Sequence, residues 1–348
     1  KDVAKLIKEL ESIELARGKI TWKEFAIESE VRSAIRKRAG EFTKADLGAV
    51  RELDLARYQI SDVSDLAKLT KLTTLNLSHN QIANVSALKG LKHLWKLQLE
   101  NNLLTDASSL ARLEWLALLT LNDNKITDIN GLAEIEQLNE LLLQRNQLTD
   151  VSSLARLKNL KRLDLSENRL ADVSALAELT QLKELYLDEN NLTDISSLAN
   201  LMQLTVLSLS SNQLTDASVL ARLPQLEQLY LDDNNLTDVS VLAKPKELWK
   251  LRLENNNLTD VSSLAEFKQL VKLSLSGNNL TDIAALAKLT KLETLALENN
   301  KLADVSPLAE LARLTVLELG HNPGLPKPEI EKLQKALPKC KIYSNATK

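Results

Sequence analysis

Residues 160–176 read LKRLDLSENRLADVSAL, and this stretch decides the fold because its spacing returns along most of the chain. Leu160, Leu163 and Leu165 stand ahead of Asn168, and the same frame recurs every 22 residues without insertion or deletion. The asparagines that mark it are Asn80, Asn102, Asn124, Asn146, Asn168, Asn190, Asn212, Asn234, Asn256, Asn278, Asn300 and Asn322. A fixed period of this kind predicts a stack of similar turns, each of which contacts mainly its neighbours.

The spacing inside each repeat predicts one short strand followed by an inward turn. Alternation at Leu163 and Leu165 places both side chains on one face of a strand and leaves the residues between them on the other face. The amide of Asn168 carries two N–H donors and an acceptor, enough to satisfy turn groups that would otherwise be buried without partners. We therefore predict that the twelve asparagines form a structural ladder.

Composition excludes several classes of protein. Aromatic residues make up only 3 % of the chain, so the core must be a series of leucine layers. The net charge is −3 with acidic and basic residues mixed, which gives no field favouring nucleic acid. No apolar stretch is long enough for membrane insertion. Cys340 is the only cysteine, so no internal disulfide can form, and we expect it to be a small buried apolar side chain.

The pattern divides the chain into three parts. A helical N-terminal cap is predicted over residues 1–48, and a repeat array over 49–322 holds one degenerate repeat and twelve regular ones. In the degenerate repeat Tyr58 occupies the position of the ladder asparagine. Residues 323–348 form the C-terminal cap. Caps of this kind are expected because the first and last leucine layers need a cover.

Three helices are predicted in the N-terminal cap. The first spans residues 1–17, and the second begins at Thr21, where Glu24 completes a capping box, and ends at Gly40. Phe25, Val31 and Ile35 are expected on the apolar side of this second helix. A short third helix opens at Thr43, with Asp46 three residues on.

The second half of each repeat and the C-terminal cap also have recognisable patterns. A column of aspartates, represented by Asp150 and running from Asp106 to Asp304, is expected to cap a brief 3₁₀ segment after each strand. Beyond the array, Pro328 favours a helix over 328–337. Cys340 and Ile342 are expected to add a closing apolar edge.

The residues that vary between repeats point outward from the strands. Two groups of them resemble binding surfaces, since Trp, Tyr and Arg are enriched at protein–protein hot spots. The N-terminal patch consists of Trp95, Leu118 and Leu142 on successive repeats. The central patch consists of Tyr186, Tyr230, Trp249, Arg252, Asp188, Asp232 and Glu254. Strands lie about 4.8 Å apart, so the two tyrosines are expected roughly 10 Å apart. Trp115 precedes its strand and is read as a cover for the side of the stack.

These residues are also compatible with other interpretations. Isolated surface aromatics need no function, and the acidic residues of the central patch could hold Ca²⁺. Solvated acids paired with Lys250 and Arg252 are the preferred interpretation, so we predict no metal and no cofactor. The histidines, His79, His93 and His321, cannot gather with a serine and an acid on one patch, so we predict that the protein is not an enzyme.

The repeat L-x-x-L-x-L-x-x-N-x-L-T-D-V-S-S-L resembles the repeats of bacterial internalins, and the lead-in over residues 28–55, with FTKADL at 42–47, resembles the internalin N-terminal cap. The resemblance implies an α/β leucine-rich repeat solenoid. It would be a right-handed superhelix with a parallel sheet on its concave face, 3₁₀ or short turns on its convex face, and helical caps. It also implies recognition of a partner protein by the concave face. Internalins continue into an immunoglobulin-like domain and wall anchor, and because a short helix follows the repeats here, surface anchoring is not expected to carry over.

The preferred function is a non-enzymatic, monomeric module that binds a partner protein through its concave face. The alternatives are an intracellular scaffold that regulates an enzyme such as a phosphatase, and a designed or consensus repeat scaffold without a native partner. Carbohydrate binding has the least support. The compartment stays open between bacterial secretion or surface display and the cytoplasm.

Overall fold

The computed structural model describes residues 22–242 and 247–345. It divides into an N-terminal unit, residues 1–148 with 156–160, and a C-terminal unit, residues 149–155 with 161–348. The helix predicted over 1–17 lies outside the described residues. The second helix was predicted to begin at Thr21 with Glu24 in a capping box, but it begins at Phe25, because Glu24 has an extended backbone (φ −104°, ψ 112°) and is the N-cap without a side-chain cap hydrogen bond.

The N-terminal unit begins with helices α1 (Phe25–Ala34) and α2 (Lys44–Ala49). Its strands are β1 (Glu52–Asp54), β2 (Thr74–Asn76), β3 (Lys96–Gln98), β4 (Leu118–Thr120) and β5 (Glu140–Leu142). Each strand pairs in parallel with the next, at the same position of each repeat. The central leucine of each strand is buried, and the residues on either side of it form the other face of the sheet, which we call the strand face.

The C-terminal unit follows the same plan. Its strands are β6 (Arg162–Asp164), β7 (Glu184–Tyr186), β8 (Val206–Ser208), β9 (Gln228–Tyr230), β10 (Lys250–Arg252), β11 (Lys272–Ser274), β12 (Thr294–Ala296), β13 (Val316–Glu318) and β14 (Lys341–Tyr343). All pairs among them are parallel and in register. Helix α3 (Lys327–Ala336) packs against the 3₁₀ helix Ser306–Glu310 and buries Leu333, which is 2 % exposed.

Short 3₁₀ helices return the chain after the strands. They are Ser64–Lys68, Ser86–Gly90, Ser108–Arg112, Asn130–Glu134, Ser152–Arg156, Ser174–Glu178, Ser196–Asn200, Ser218–Arg222, Ser240–Leu242, Ser262–Glu266, Ala284–Lys288 and Ser306–Glu310. Parallel strands joined by 3₁₀ helices at a constant period are the predicted leucine-rich repeat architecture, and this class of fold is confirmed in each unit.

An aspartate, replaced by Asn84 before the helix Ser86–Gly90, supports the first turn of the 3₁₀ helices. Asp238 is an example: its Oδ1 accepts the Ser240 N–H at 2.7 Å and its Oδ2 accepts the Ser240 hydroxyl at 2.8 Å. The cap residue itself is the valine, isoleucine or alanine that follows, so the aspartate closes an Asx turn one position earlier than a helix cap. These hydrogen bonds, the backbone one first, lower the pKa of Asp238 below its ordinary value.

The ladder asparagines join neighbouring repeats from inside the turn. Asn234, 6 % exposed, donates through Nδ2 to the carbonyls of Leu209, Leu231 and Asp232 at 3.0–3.2 Å. Its Oδ1 accepts the Leu214 N–H at 3.0 Å. One side chain therefore satisfies backbone groups on two consecutive repeats, and the same contacts recur at Asn256 and Asn300.

The residue before the ladder asparagine has a left-handed backbone. Asp233 has φ 53°, Glu189 has φ 51°, and Gly277 has φ 69° at the equivalent position. Side chains with a β-carbon cost energy there, and the asparagine hydrogen bonds hold the turn in this conformation. The leucine spacing gives no hint of this feature.

Besides the start of the helix, two details of the N-terminal cap differ from the sequence prediction. Helix α1 ends at Ala34 and not at Gly40, because Arg36 adopts φ 56° and the Lys37 N–H closes back on the Arg32 carbonyl at 2.9 Å. Phe25 is 82 % exposed, since Ile27 and Val31 form the buried stripe of the helix. The capping box at Thr43 and Asp46 is confirmed.

Gly131 leaves no room for a side chain, which yields a first prediction. A β-carbon there would lie 2.4 Å from the Ser108 Cα and 2.7 Å from its carbonyl oxygen. We expect Gly131→Ala to lower the free energy of unfolding by about 2 kcal/mol, because two 3₁₀ helices must separate. Gly90→Ala is the matched control, since no atom lies within 4 Å of its β-carbon position. Thermal melting compares them, and equal shifts would contradict the clash.

Candidate functional site

The strand face of the C-terminal unit carries the central patch. Tyr186, Ser208, Tyr230 and Arg252 are paired in register across β7, β8, β9 and β10, so they form one row of adjacent positions. The side chains two residues before and after each member of this row lie on the same face of the sheet. Register therefore brings the predicted aromatic, basic and acidic side chains together on one surface.

Tyr186 is held on the strand face by two neighbours. Its hydroxyl donates to Glu184 Oε2 at 3.2 Å, and the Arg162 guanidinium lies 5.6 Å from the centre of its ring. Arg162 Nη1 in turn lies 3.6 Å from Glu184 Oε2. Burial raises the pKa of Tyr186 to about 12, with a further contribution from Glu184. The half-buried ring is thus fixed between a carboxylate and a cation.

Tyr230 has the same arrangement with different partners. Its hydroxyl donates to Gln228 Oε1 at 2.9 Å, and Lys250 Nζ lies 4.7 Å from the centre of its ring. In both cases the hydroxyl is bonded by the residue two positions earlier on its own strand. Between the two tyrosines β8 presents Ser208, whose small side chain is buried. The two rings therefore flank strand β8, whose side chain at this position is small.

Arg252 ends the row in a network of two acids. Its Nε donates to Asp232 Oδ2 at 2.7 Å, and its Nη2 lies 3.0 Å from Glu254 Oε1. Asp232 is 6 % exposed, and its Oδ1 accepts the Glu254 N–H at 2.8 Å. Burial raises the pKa of Asp232, and the Glu254 N–H and Arg252 partly offset that effect. The charge of Arg252 is therefore largely compensated within the protein.

The other acids and Trp249 occupy the margins of the central patch. Asp188 accepts hydrogen bonds from the Ser208 hydroxyl and from the Ser210 N–H, the latter at 2.8 Å. Trp249 is half-buried and precedes β10 by one residue, so it stands at the start of the strand and outside the tyrosine row. Lys250 and Arg162, which contact the two rings, were not predicted as site residues. Their signal in the sequence is a basic residue two positions before a row position.

The N-terminal patch separates into two surfaces. Leu118 and Leu142 lie half-buried on the strand face of neighbouring strands, offset by two residues because Leu118 pairs with Glu140. Trp95, 49 % exposed, lies one residue before β3 and lines a groove of about 450 Å³ with Trp115, which is 69 % exposed. Trp115 was expected only to cover the side of the stack, and the structure places it beside Trp95.

Three other features bear on function: groups of metal ligands, the histidines and membrane-spanning helices. Within residues 22–242 and 247–345, no three His, Cys, Asp or Glu side chains are placed to hold a metal ion. His79 and His321 are the left-handed residues that precede two ladder asparagines, so their positions follow from the repeat. In the described part of the chain no helix has the length and apolarity needed to cross a membrane.

Comparison with known proteins places the chain in a family. A family model for leucine-rich repeats in two copies matches residues 49–90, 136–178, 158–200, 180–221, 203–244, 246–288 and 268–310. The crystal structure of an internalin (inlF) from Listeria monocytogenes is 30 % identical, with a TM-score of 0.90 and coverage of 94 % of this chain and 96 % of that one. The chain belongs to the internalin-like leucine-rich repeat proteins. Such proteins generally serve as non-enzymatic scaffolds for protein interaction.

Two further structures frame this assignment. Internalin C2 (inlC2) of Listeria monocytogenes is 34 % identical to this internalin-like chain over 62 % of it and 93 % of inlC2, with a TM-score of 0.58. The ectodomain of the receptor kinase GASSHO1/SCHENGEN3 from Arabidopsis thaliana shares the fold at 24 % identity and a TM-score of 0.68, over 86 % of this chain and 42 % of that one. The Listeria relatives point to a bacterial origin. No curated protein matches the sequence.

Proposed function

We propose that the central patch binds a partner protein. The observation that carries the proposal is the row Tyr186, Ser208, Tyr230 and Arg252, in which two aromatic rings and a guanidinium stand side by side on one sheet. Tyr brings a large contact area with few rotatable bonds, Arg brings a planar guanidinium, and both residue types are enriched among those that dominate the binding energy of interfaces. A scaffold of repeated leucines does not need these residues at its exposed positions.

Pre-organisation supports the proposal further. The two tyrosine hydroxyls and the Arg252 guanidinium are already bonded to Glu184, Gln228 and Asp232. Side chains held in place before binding lose less conformational entropy when a partner arrives. The rings keep part of their surface exposed, so they can contact a partner without leaving these hydrogen bonds.

The compensated charges of the central patch indicate what kind of surface a partner would present. Asp232 and Glu254 already pair with Arg252, so the patch offers no unpaired strong charge in this row. An apolar or aromatic group between the two tyrosines, flanked by polar groups near Arg252, would match this surface. Such an interface would depend on the rings more than on long-range attraction.

The test compares capture of proteins by immobilised wild type and by Tyr186→Ala/Tyr230→Ala, from a lysate and from culture medium. We expect recovery of a partner to fall about tenfold or more in the double variant, since two anchor residues are truncated. A triple variant that also carries Trp249→Ala tests whether this side chain, at the margin of the central patch, contributes to binding. Quantitative mass spectrometry measures recovery, and thermal melting checks that each variant is folded.

Tyr343→Ala is the matched control, because Tyr343 is 53 % exposed and lies on the terminal strand β14. Its removal takes away a tyrosine from the same sheet outside the central patch. The proposal predicts that this variant recovers the partner as the wild type does. Recovery of every captured protein at equal levels by wild type and the double variant would overturn it, and so would an equal loss with Tyr343→Ala.

A further inference from the structure

A groove at the edge of the N-terminal unit lies outside the central patch. Its volume is about 450 Å³, and it is lined by Arg51, Lys71, Thr73, His93, Trp95 and Trp115. None of these residues is acidic. Both tryptophans are exposed, at 49 % and 69 % of their surface. An open surface with two exposed indoles and several basic groups is a candidate binding site for a ligand that carries a negative charge and a group that packs on an indole ring.

The repeat explains how the groove is built. Arg51, Thr73 and Trp95 each stand one residue before strands β1, β2 and β3, and backbone hydrogen bonds tie these positions together. Lys71, His93 and Trp115 each stand three residues before strands β2, β3 and β4. Each row therefore runs from a basic residue through a polar one to a tryptophan. The groove has a basic end and an aromatic end.

The basic end keeps its charge available. Arg51 bonds only to backbone carbonyls, those of Gly48 and Val50, and Lys71 Nζ lies 3.3 Å from His93 Nε2. Among residues 22–242 and 247–345, no carboxylate pairs with Arg51 or Lys71. This contrasts with Arg252, whose charge is compensated by two acids. A negatively charged group on the ligand would complement the two free cations.

The distance between the two ends selects a peptide conformation. Two strand spacings separate Arg51 from Trp95, about 9.6 Å. A polyproline II helix rises about 3.1 Å per residue with three residues per turn, so residues i and i+3 share one face about 9.3 Å apart. Prolines in this conformation dock on grooves lined by aromatic side chains. An acidic side chain three residues from a proline would therefore reach both ends at once.

We propose that this groove binds an acidic, proline-containing peptide segment in the polyproline II conformation. The carboxylate pairs with Arg51 and Lys71, and the proline ring packs on Trp95 and Trp115. An acidic sugar would also bring a carboxylate and a ring with a face of C–H groups that can pack on an indole. It would need several neutral groups to bond its hydroxyls, whereas the Thr73 hydroxyl is already donated to the Arg51 carbonyl at 2.9 Å. The peptide is therefore the better match.

The test uses a fluorescent twelve-residue peptide, two copies of Glu-Pro-Pro-Pro-Pro-Pro, in which glutamate and proline alternate along one face of the helix. Fluorescence anisotropy should show saturable binding to the wild type. We expect Trp95→Ala/Trp115→Ala and Arg51→Gln/Lys71→Gln each to weaken binding about tenfold or more. The same peptide with lysine in place of glutamate should not bind. Added salt should weaken binding, since the cations are exposed.

Tyr186→Ala/Tyr230→Ala is the control that separates this site from the central patch, and it should bind the peptide as the wild type does. Thermal melting checks the fold of each variant. The proposal is overturned by no saturable binding up to about 1 mM peptide, by equal binding of the lysine peptide, or by equal affinity of the tryptophan variant. It is also overturned if oligogalacturonate binds through the two tryptophans while the peptide does not.

Discussion

Asn234→Ala should lower the free energy of unfolding by about 3 kcal/mol or more. The substitution removes the donor to the carbonyls of Leu209, Leu231 and Asp232 and the acceptor for the Leu214 N–H. Each backbone group left buried without a partner costs about 1–3 kcal/mol, and a small loss of packing adds to that. Two consecutive repeats are affected at once, because these bonds cross between them. Urea denaturation followed by circular dichroism measures the change.

Asn235→Ala is the matched control. The neighbouring Asn235 is exposed, and its bond to the Leu214 carbonyl is made by the backbone N–H, which alanine keeps. We expect a change within about 0.5 kcal/mol, as for other surface substitutions. Similar denaturation midpoints for the two variants would show that the Asn234 amide does not carry the stability assigned to it.

The period of the asparagines predicted much of the fold because it is local and redundant. Alternation of Leu163 and Leu165 was enough to predict a strand, and the few residues left after it could form only a 3₁₀ turn. The left-handed residues such as Asp233 escaped this reasoning. Asn, Asp, His and Gly predominate at that position, and these residue types adopt the left-handed region most readily, so the signal lay in the composition of this column and not in the leucine spacing.

The candidate site was harder to predict because its contacts cross repeats diagonally. Columns compared every 22 residues correctly bring Tyr186 and Tyr230 into one row. The hydrogen bond of Arg252 to Asp232 joins residues 20 positions apart. Trp95 and Trp115, which line one groove, are also 20 positions apart. Such pairs depend on where side chains lean across the sheet, which a column comparison does not give.

The N-terminal cap shows a different limit. A helical apolar pattern placed Phe25, Val31 and Ile35 on the inner side; Val31 is buried as predicted, yet Phe25 is exposed and Ile27 is buried in its stead. Several overlapping sets of apolar residues fit a helix of this length, and which set is buried depends on what the helix packs against. No repeat precedes the cap, so the period could not decide between them.

Arg252→Met should lower the free energy of unfolding by about 2 kcal/mol at pH 7 and by much less in acid. Asp232 is 6 % exposed, and its carboxylate would lose the Nε donor at 2.7 Å while keeping the Glu254 N–H. Breaking a fully buried ion pair costs more than this. The smaller figure applies here because Arg252 is half-exposed, so solvent already screens its charge.

The sign of the pH dependence follows from Asp232. Burial raises its pKa in the folded protein, and loss of Arg252 raises it further. A carboxyl group with a raised folded pKa takes up a proton on folding between its ordinary value of 3.8 and the raised value. Stability therefore falls as pH rises through that window, and the difference between variant and wild type should shrink as pH is lowered to about 4.

The double variant Asp232→Asn/Arg252→Met, compared with Asp232→Asn alone, tests whether the buried charge of Asp232 causes the pH dependence of the Arg252→Met effect. Asparagine keeps the shape of Asp232 and carries no charge, so the pH dependence of the Arg252→Met effect should fall to the smaller part that comes from the partly exposed pair with Glu254. If Arg252→Met costs the same at pH 7 and pH 4 by urea denaturation, its effect is lost packing of the side-chain stem and not an unpaired carboxylate. That outcome would also weaken the view that Arg252 is held ready for a partner, because the paired acid would then not be what positions it.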